Sequence, residues 1–327
     1  MVAQKWPANA RNCFASRLRC GSPTRRAYNF NSNVISVVQL GQVDYGEGLR
    51  LQRKLIDLRK AGEIPDVLLL LEHSPVITLG RNAKAANVLA SPDALAARHV
   101  EVFECDRGGD VTFHGPGQLV GYPILDLRAH LASLDGDLRS RTFADRSVRA
   151  TQTRKTLGAV DYVRRLEEVL IRTCGDFGIP AKRLAGLTGV WTESARVLSG
   201  LRPDCGSETR HRTNTEAKIA AIGVHISRSV TSHGFALNGN TDLSYFDLIV
   251  PCGITTKPVT SMEKELGREL NLDEVAQSLS RNFGTVFGSQ MRWLETVDAL
   301  LGNSVGVPMK APDELRRMHA EDELFLG

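Results

Sequence analysis

The run VLLLLE at residues 67–72 limits the fold more than any other feature of this chain. It is continuously apolar and too short for an ordinary helix, so it suits a buried strand. The other periodic segments fall around it. Residues 34–40 read as a strand. Residues 45–61 place Leu51, Leu55 and Leu58 at helical spacing with charges between them. Residues 76–79, after Pro75, and residues 119–127 read as further strands. Val160, Val163, Leu166, Leu170, Cys174 and Phe177 mark one face of a helix that ends near Gly178. Residues 218–226 and 230–237 alternate as a strand pair, and Leu272, Val275, Leu279 and Phe283 mark a late helix. Strands and helices are interspersed without regular βαβα alternation. That favours an α+β fold, a mixed β-sheet packed by helices.

Composition narrows the class. With 42% hydrophobic and 24% charged residues over 327 positions, the chain can build a core and is not a disordered polymer. No stretch approaches the 18 or so consecutive apolar residues of a spanning helix, so no membrane partner is expected. Cysteines stand at 13, 20, 105, 174, 205 and 252 with no CxxC pair. This disfavours a disulfide scaffold or structural zinc and suits a reducing compartment. Neither metal nor cofactor is expected. The net charge is +4, but Lys5, Arg11, Arg17, Arg19, Arg25 and Arg26 all lie in residues 1–43, which hold no acid. The remainder is therefore close to neutral, at −2. A nucleic-acid-binding body needs a basic face on the fold, so no nucleic-acid partner is expected either.

Residues 1–32 read as a mobile basic extension, with an organelle transit peptide as the alternative. Residues 33–290 read as one domain, and residues 291–327 as a C-terminal extension. Two polar stretches, about 135–158 and about 195–216, read as inserts. Solvated loops are the simplest reading of both, and a docking surface for an acidic partner is the alternative for the first.

Four segments carry chemistry. The first is Arg107-Gly108-Gly109-Asp110-Val111-Thr112-Phe113-His114-Gly115-Pro116-Gly117-Gln118. Its glycines allow close approach of backbone to a ligand; spacing alone favours a structural turn, and Arg107 with His114 tilts the reading toward a site. It is neither a Walker loop nor a dinucleotide fingerprint. The second is Lys218-Ile219-Ala220-Ala221-Ile222-Gly223, a lysine opening a small, apolar strand. That lysine is either solvated or a cation held against a desolvated pocket. The third is Ser232-His233-Gly234-Phe235-Ala236-Leu237-Asn238, and the fourth Val250-Pro251-Cys252-Gly253-Ile254. A cysteine between proline and glycine sits on a turn, where a thiolate near a cation is nucleophilic.

In order and wording these segments resemble the lipoyl(octanoyl) transferase family, the octanoyl-carrier-protein:protein octanoyltransferases. The resemblance runs from about residue 34 to about residue 287, outside the two inserts. It departs from the family at Phe113, where a tyrosine is usual, and in the length between Trp191 and Lys218. It implies a fold similar to that of biotin protein ligases and lipoate–protein ligases, with an acyl chain in an apolar tunnel. It also implies an acyltransferase of protein lipoylation. Octanoyl-acyl carrier protein would be the donor. The acceptors would be lipoyl domains of 2-oxoacid dehydrogenase E2 subunits and the glycine cleavage H protein. Cys252 would form an octanoyl thioester. Lys218 would lower the Cys252 pKa and act as acid and base. Arg107 to His114, the Ala221-Ile222-Gly223 turn and Gly234-Phe235-Ala236 would line the acyl site. Of the histidines, His114 would line it too, while His233 is left between a site and a structural role. Asp242 and Tyr245 would be structural supports. The expected compartment is the cytoplasm, with the mitochondrial matrix as the alternative. Competing readings are an ATP-dependent lipoate or biotin ligase of the same fold, a non-catalytic lipoyl-domain binding module, and a papain-like hydrolase. The last would need a histidine after the cysteine in the chain, and the only later one is His319.

Overall fold

The computed structural model describes residues 34–130, 156–195 and 214–302. The extension 1–32, most of both inserts and residues 303–327 lie outside the described residues. In chain order the elements are β1 (Val34–Val43), α1 (Tyr45–Ala61), β2 (Asp66–His73), β3 (Val76–Leu79), α2 (Pro92–Ala97), β4 (Glu101–Glu104), β5 (Val111–His114), β6 (Gln118–Ile124), α3 (Ala159–Asp176), β7 (Ala181–Leu184), β8 (Leu187–Ala195), β9 (Asn214–Ser227), β10 (Val230–Asn238), α4 (Met262–Leu266), α5 (Leu272–Phe287), β11 (Gln290–Leu294) and α6 (Ala299–Gly302).

The apolar run becomes β2, which is buried on both sides. Strand alternation sends successive side chains to opposite faces. Leu68 and Leu70 join one core, with Leu166 and Leu170 of α3 and Val275, Leu279 and Phe283 of α5. Val67, Leu69 and Leu71 join the other, with Leu51, Leu55 and Leu58 of α1. Each fully buried leucine contributes roughly 2 kcal/mol, so helices are held on both faces of the sheet. Helix α1 stops at Gly62, whose φ of 74° lets its N–H return to the carbonyls of Arg59 and Leu58.

The main sheet has eight strands in the order β11-β1-β2-β6-β10-β9-β8-β7. Its β11, β1 and β2 run parallel to one another, and each pairing from β2 onward is antiparallel. A second sheet, β4-β3-β5, packs Ile77, Val111 and Phe113 on a small core of its own with Leu95, Val100 and Ile249. The mixed, helix-covered architecture is the α+β class read from the sequence.

Three expectations change. The glycine-rich segment is not a turn throughout, because residues 111–114 are themselves strand β5, paired with β3. Lys218 does not open its strand. Strand β9 begins at Asn214, so the lysine lies inside it, opposite Trp191 of β8. Finally, a boundary at 290 falls inside β11, which pairs in parallel with β1. Val297 and Leu300 beyond it are buried in the α1-side core, so the domain runs on to α6.

Candidate active site

The floor of the site is the α1-facing surface of the main sheet. Registry places Ala221 of β9, Ala236 of β10 and Val120 of β6 side by side. The next row on the same face is Gly223 and Gly234. Tyr122 completes that row, because the β6–β10 register continues to the Asp126–Val230 bridge. Residues 221–223 are thus strand, where a turn was expected. Both glycines are required by close approach. A Cβ on Gly223 would lie 2.8 Å from the Gly108 carbonyl oxygen, and one on Gly234 would collide with the Gly121 carbonyl.

The glycine loop forms the roof. Gly108 N–H donates to the Val224 carbonyl at 3.0 Å, crossing onto β9. Arg107 is buried and spends its guanidinium on strand β3 and on the loop itself. Nη2 donates to the Thr78 carbonyl at 2.7 Å and Nη1 to the Gly108 carbonyl at 3.1 Å. Asp110 accepts from the Lys84 and Val111 N–H groups and from Asn87 Nδ2, holding the rim. In β5 the alternation of strand side chains divides the motif. Thr112 and His114 face the cleft, whereas Val111 and Phe113 point into the second sheet's core. Phe113 there stacks on Tyr245 at 4.7 Å. The expectation that Val111 and Phe113 line the site is therefore corrected.

Cys252 sits on the turn Pro251–Gly253 with φ of 55°, half-buried at the cleft. Lys218 reaches it from β9. Its Nζ donates to Cys252 Sγ at 3.2 Å and lies 5.0 Å from the centre of the Trp191 ring. The lysine stem passes Gly189, where a Cβ would come within 3.0 Å of Lys218 Cε. Lys218 is only 7% exposed, so the ammonium is confined to the sulfur rather than to solvent. The two residues lie 34 positions apart in sequence. They are brought together by the return of the chain after β10, where Lys218 N–H donates to the Pro258 carbonyl and Thr260 N–H to the Lys218 carbonyl.

A polar chain ties the first and third motifs together and ends on Thr260, whose N–H donates to the Lys218 carbonyl. Gln118 Nε2 donates to Asn238 Oδ1 at 2.8 Å, and Asn238 Nδ2 donates to the Thr260 carbonyl at 2.9 Å. Gln118 Oε1 thus faces His114 Nδ1 at 2.7 Å, which puts the imidazole proton on Nδ1. Burial, with His73 and Arg107 nearby, pushes the His114 pKa down to about 3, so the ring is neutral. His73 lies behind it. Its Nδ1–H donates to the Val43 carbonyl at 2.7 Å and its Nε2 accepts from the Tyr122 hydroxyl at 2.6 Å. Burial pushes the His73 pKa down to about 4.

The cleft holds about 490 Å3, open mouth included. Of the expected residues, Arg107, Gly108, Gly109, Asp110, Thr112, His114, Ala221, Ile222, Gly223, Gly234, Phe235, Ala236 and Cys252 line it. Lys218 stands behind Cys252 in an adjoining hollow with Thr112, Gln118 and Asn238. Sequence reasoning missed Tyr45, Val120 and Tyr122. Strand register places Val120 and Tyr122 here and the packing of α1 on the sheet places Tyr45, neither of which a motif encodes. His233 also reaches the cleft. Its Nε2 is 2.7 Å from Asp106 Oδ1 and its N–H donates to Gln52 Oε1 at 2.9 Å. The backbone of His233 is left-handed at φ 53°.

The lipoyl protein ligase A/B catalytic domain matches this chain over residues 44–153 and 148–284. The chain belongs to that family. Within it, the chain is 54% identical over 294 residues to the octanoyltransferase of Koribacter versatilis, covering 90% of this chain and all of that one. It is 53% identical over 270 residues to the octanoyltransferase of Acidobacterium capsulatum, covering 82% of this chain and 96% of that one. The family fold extends to the bi-partite lipoate protein ligase of Thermoplasma acidophilum. The TM-score there is 0.53 at 14% identity, over 80% of this chain and 87% of that one. Among the described residues no helix is long and apolar enough to cross a membrane.

Proposed function

We propose that this protein transfers an octanoyl group from an acyl carrier protein to a lysine of a lipoyl domain, through a thioester on Cys252, in the cytoplasm. The observation that carries the reading is the contact between Lys218 Nζ and Cys252 Sγ at the mouth of an apolar cleft. The octanoyltransferases at 54% and 53% identity support the acyl group. The lipoyl domains of 2-oxoacid dehydrogenase E2 subunits and of the glycine cleavage H protein are the proposed acceptors.

The chemistry follows from the pair. An ammonium beside sulfur favours the thiolate by Coulomb attraction. The thiolate attacks the donor thioester carbonyl. The tetrahedral intermediate expels the carrier's thiolate, which takes a proton from Lys218. The acceptor amine then attacks the Cys252 thioester and expels Cys252 as a thiolate. Neutral Lys218 takes the proton that the amine sheds as it becomes an amide. The dyad is thereby regenerated, and because the donor is already activated no nucleotide is consumed. In the cleft, the acyl chain replaces water over the Val120, Ala221 and Ala236 surface. Its methylenes are worth ~0.8 kcal/mol each before the costs of association.

Intact-protein mass after incubation with octanoyl-acyl carrier protein, without ATP, tests the reading. The expected result is one octanoyl group per chain, released by hydroxylamine and absent in Cys252→Ala. If no adduct forms and a lipoyl domain is modified only with octanoate and ATP, the protein is a ligase and Cys252 is a turn residue.

A further inference from the structure

Resting on that reading, we propose that Tyr122 is the residue that sets the length of the acyl chain. The rows beneath the cleft follow one another in order away from the sulfur. Cys252 adjoins Gln118, Asn238 and Ala221 at one end. Moving away from the sulfur, the floor is first Val120, Ala236 and Ala221, all small. One row on, two residues along each strand and about 7 Å further, it is Gly234 and Gly223 with Tyr122 beside them. The glycines leave the floor open, so the only large side chain rising from that row into the cleft is Tyr122. An octanoyl chain spans roughly 9 Å from its carbonyl, given seven C–C bonds of about 1.5 Å at tetrahedral angles. Laid from Cys252 along the strands, its last carbons reach the phenol.

The ring is built not to yield. Tyr122 is buried, and its hydroxyl donates to His73 Nε2 at 2.6 Å. His73 is in turn fixed by the Val43 carbonyl at 2.7 Å. His73 is fully buried and cannot back away, because it packs against α1 at Gly48, where even a Cβ would lie 3.0 Å from His73 Cε1. The far side is filled by Tyr45, whose ring meets His73 at 5.2 Å and Phe103 at 5.4 Å. A longer chain must displace this cluster, while a shorter one leaves the end of the trough unfilled. Tyr122 is thus a specificity residue, and His73 is a positioning residue that acts through it.

The test offers the full-length enzyme hexanoyl-, octanoyl-, decanoyl- and dodecanoyl-acyl carrier protein in competition and reads the acyl-enzyme by intact mass. Wild type takes octanoyl foremost. Tyr122→Ala raises the decanoyl-to-octanoyl ratio by about tenfold, the worth of two buried methylenes. Ala236→Val, which raises the floor one row nearer the sulfur, raises the hexanoyl-to-octanoyl ratio instead. Unchanged ratios in an acylated Tyr122→Ala enzyme would overturn the proposal. Should that variant show no cooperative unfolding transition, Tyr122→Leu and Ala236→Val decide it, and unchanged ratios in both have the same meaning. Loss of the adduct with every chain length in wild type is a different outcome, which removes the octanoyl-transfer reading itself.

Discussion

In the proposed reaction Lys218 has a charge role and a proton-transfer role, which separate by substitution. As a cation 3.2 Å from Cys252 Sγ it would support the thiolate. As an amine it would accept the acceptor's proton. Arginine can supply the first and not the second, since it does not deprotonate in proteins. Lys218→Ala is expected to slow both half-reactions, by about 10²–10⁴-fold in the step that needs proton transfer. Lys218→Arg is expected to keep more of the first, so that acyl-enzyme accumulates without being passed on. Single-turnover mass measurements of each half-reaction check the split. Equal loss in both halves with arginine would show that geometry at Nζ, rather than charge, governs the first step. The lysine and the cysteine were readable as types in their motifs. Their contact was not, because the strand and turn between residues 218 and 252 decide it.

At the scale of elements the site depends on a loop lying flat on a strand. The glycine loop donates Gly108 N–H to Val224, and it can do so only because β9 has no side chain at Gly223. Gly223→Ala places a methyl 2.8 Å from the Gly108 oxygen. The overlap should cost about 1–3 kcal/mol and lift the loop. The expected outcome is a modestly lower Tm with a larger loss of acyl-enzyme formation. A fall in Tm with acylation intact would show that the loop's seat on β9 does not matter to the reaction. The division of β5 belongs to this scale too. Thr112 and His114 serve the cleft while Val111 and Phe113 serve the second core, a two-residue period hidden inside a motif that reads as a loop.

The whole molecule carries an acid liability. His73 and His114 are held neutral by burial, with pKa values near 4 and near 3 against an ordinary 6.5. Once the pH is below 6.5 the unfolded chain binds two protons that the folded chain refuses until near pH 4 and pH 3. Stability from these groups is therefore present at neutral pH and falls with pH across that window. The slope should be about 3 kcal/mol per pH unit for the two together. Urea unfolding between pH 4.5 and 6 measures it. The His73 share should vanish in His73→Gln, roughly halving this part of the slope. An unaltered slope would mean that His73 is already protonated in the folded protein.

The sequence by itself determined the longer elements, the family and the candidate chemistry. Local period separates strand from helix. Residue type at a turn and in an apolar strand marks Cys252 and Lys218, and four motifs in order identify the family. The α1 and β3 boundaries follow from pattern alone, since helix spacing and a flanking proline are local signals. Tertiary structure decided what touches what. Strand register set Tyr122 in a row with Gly234 and Gly223, put Val111 and Phe113 out of the cleft, and carried the domain past residue 290 into β11. Register is fixed by the burial of whole faces and by pairings dozens of residues apart. No local window contains that information.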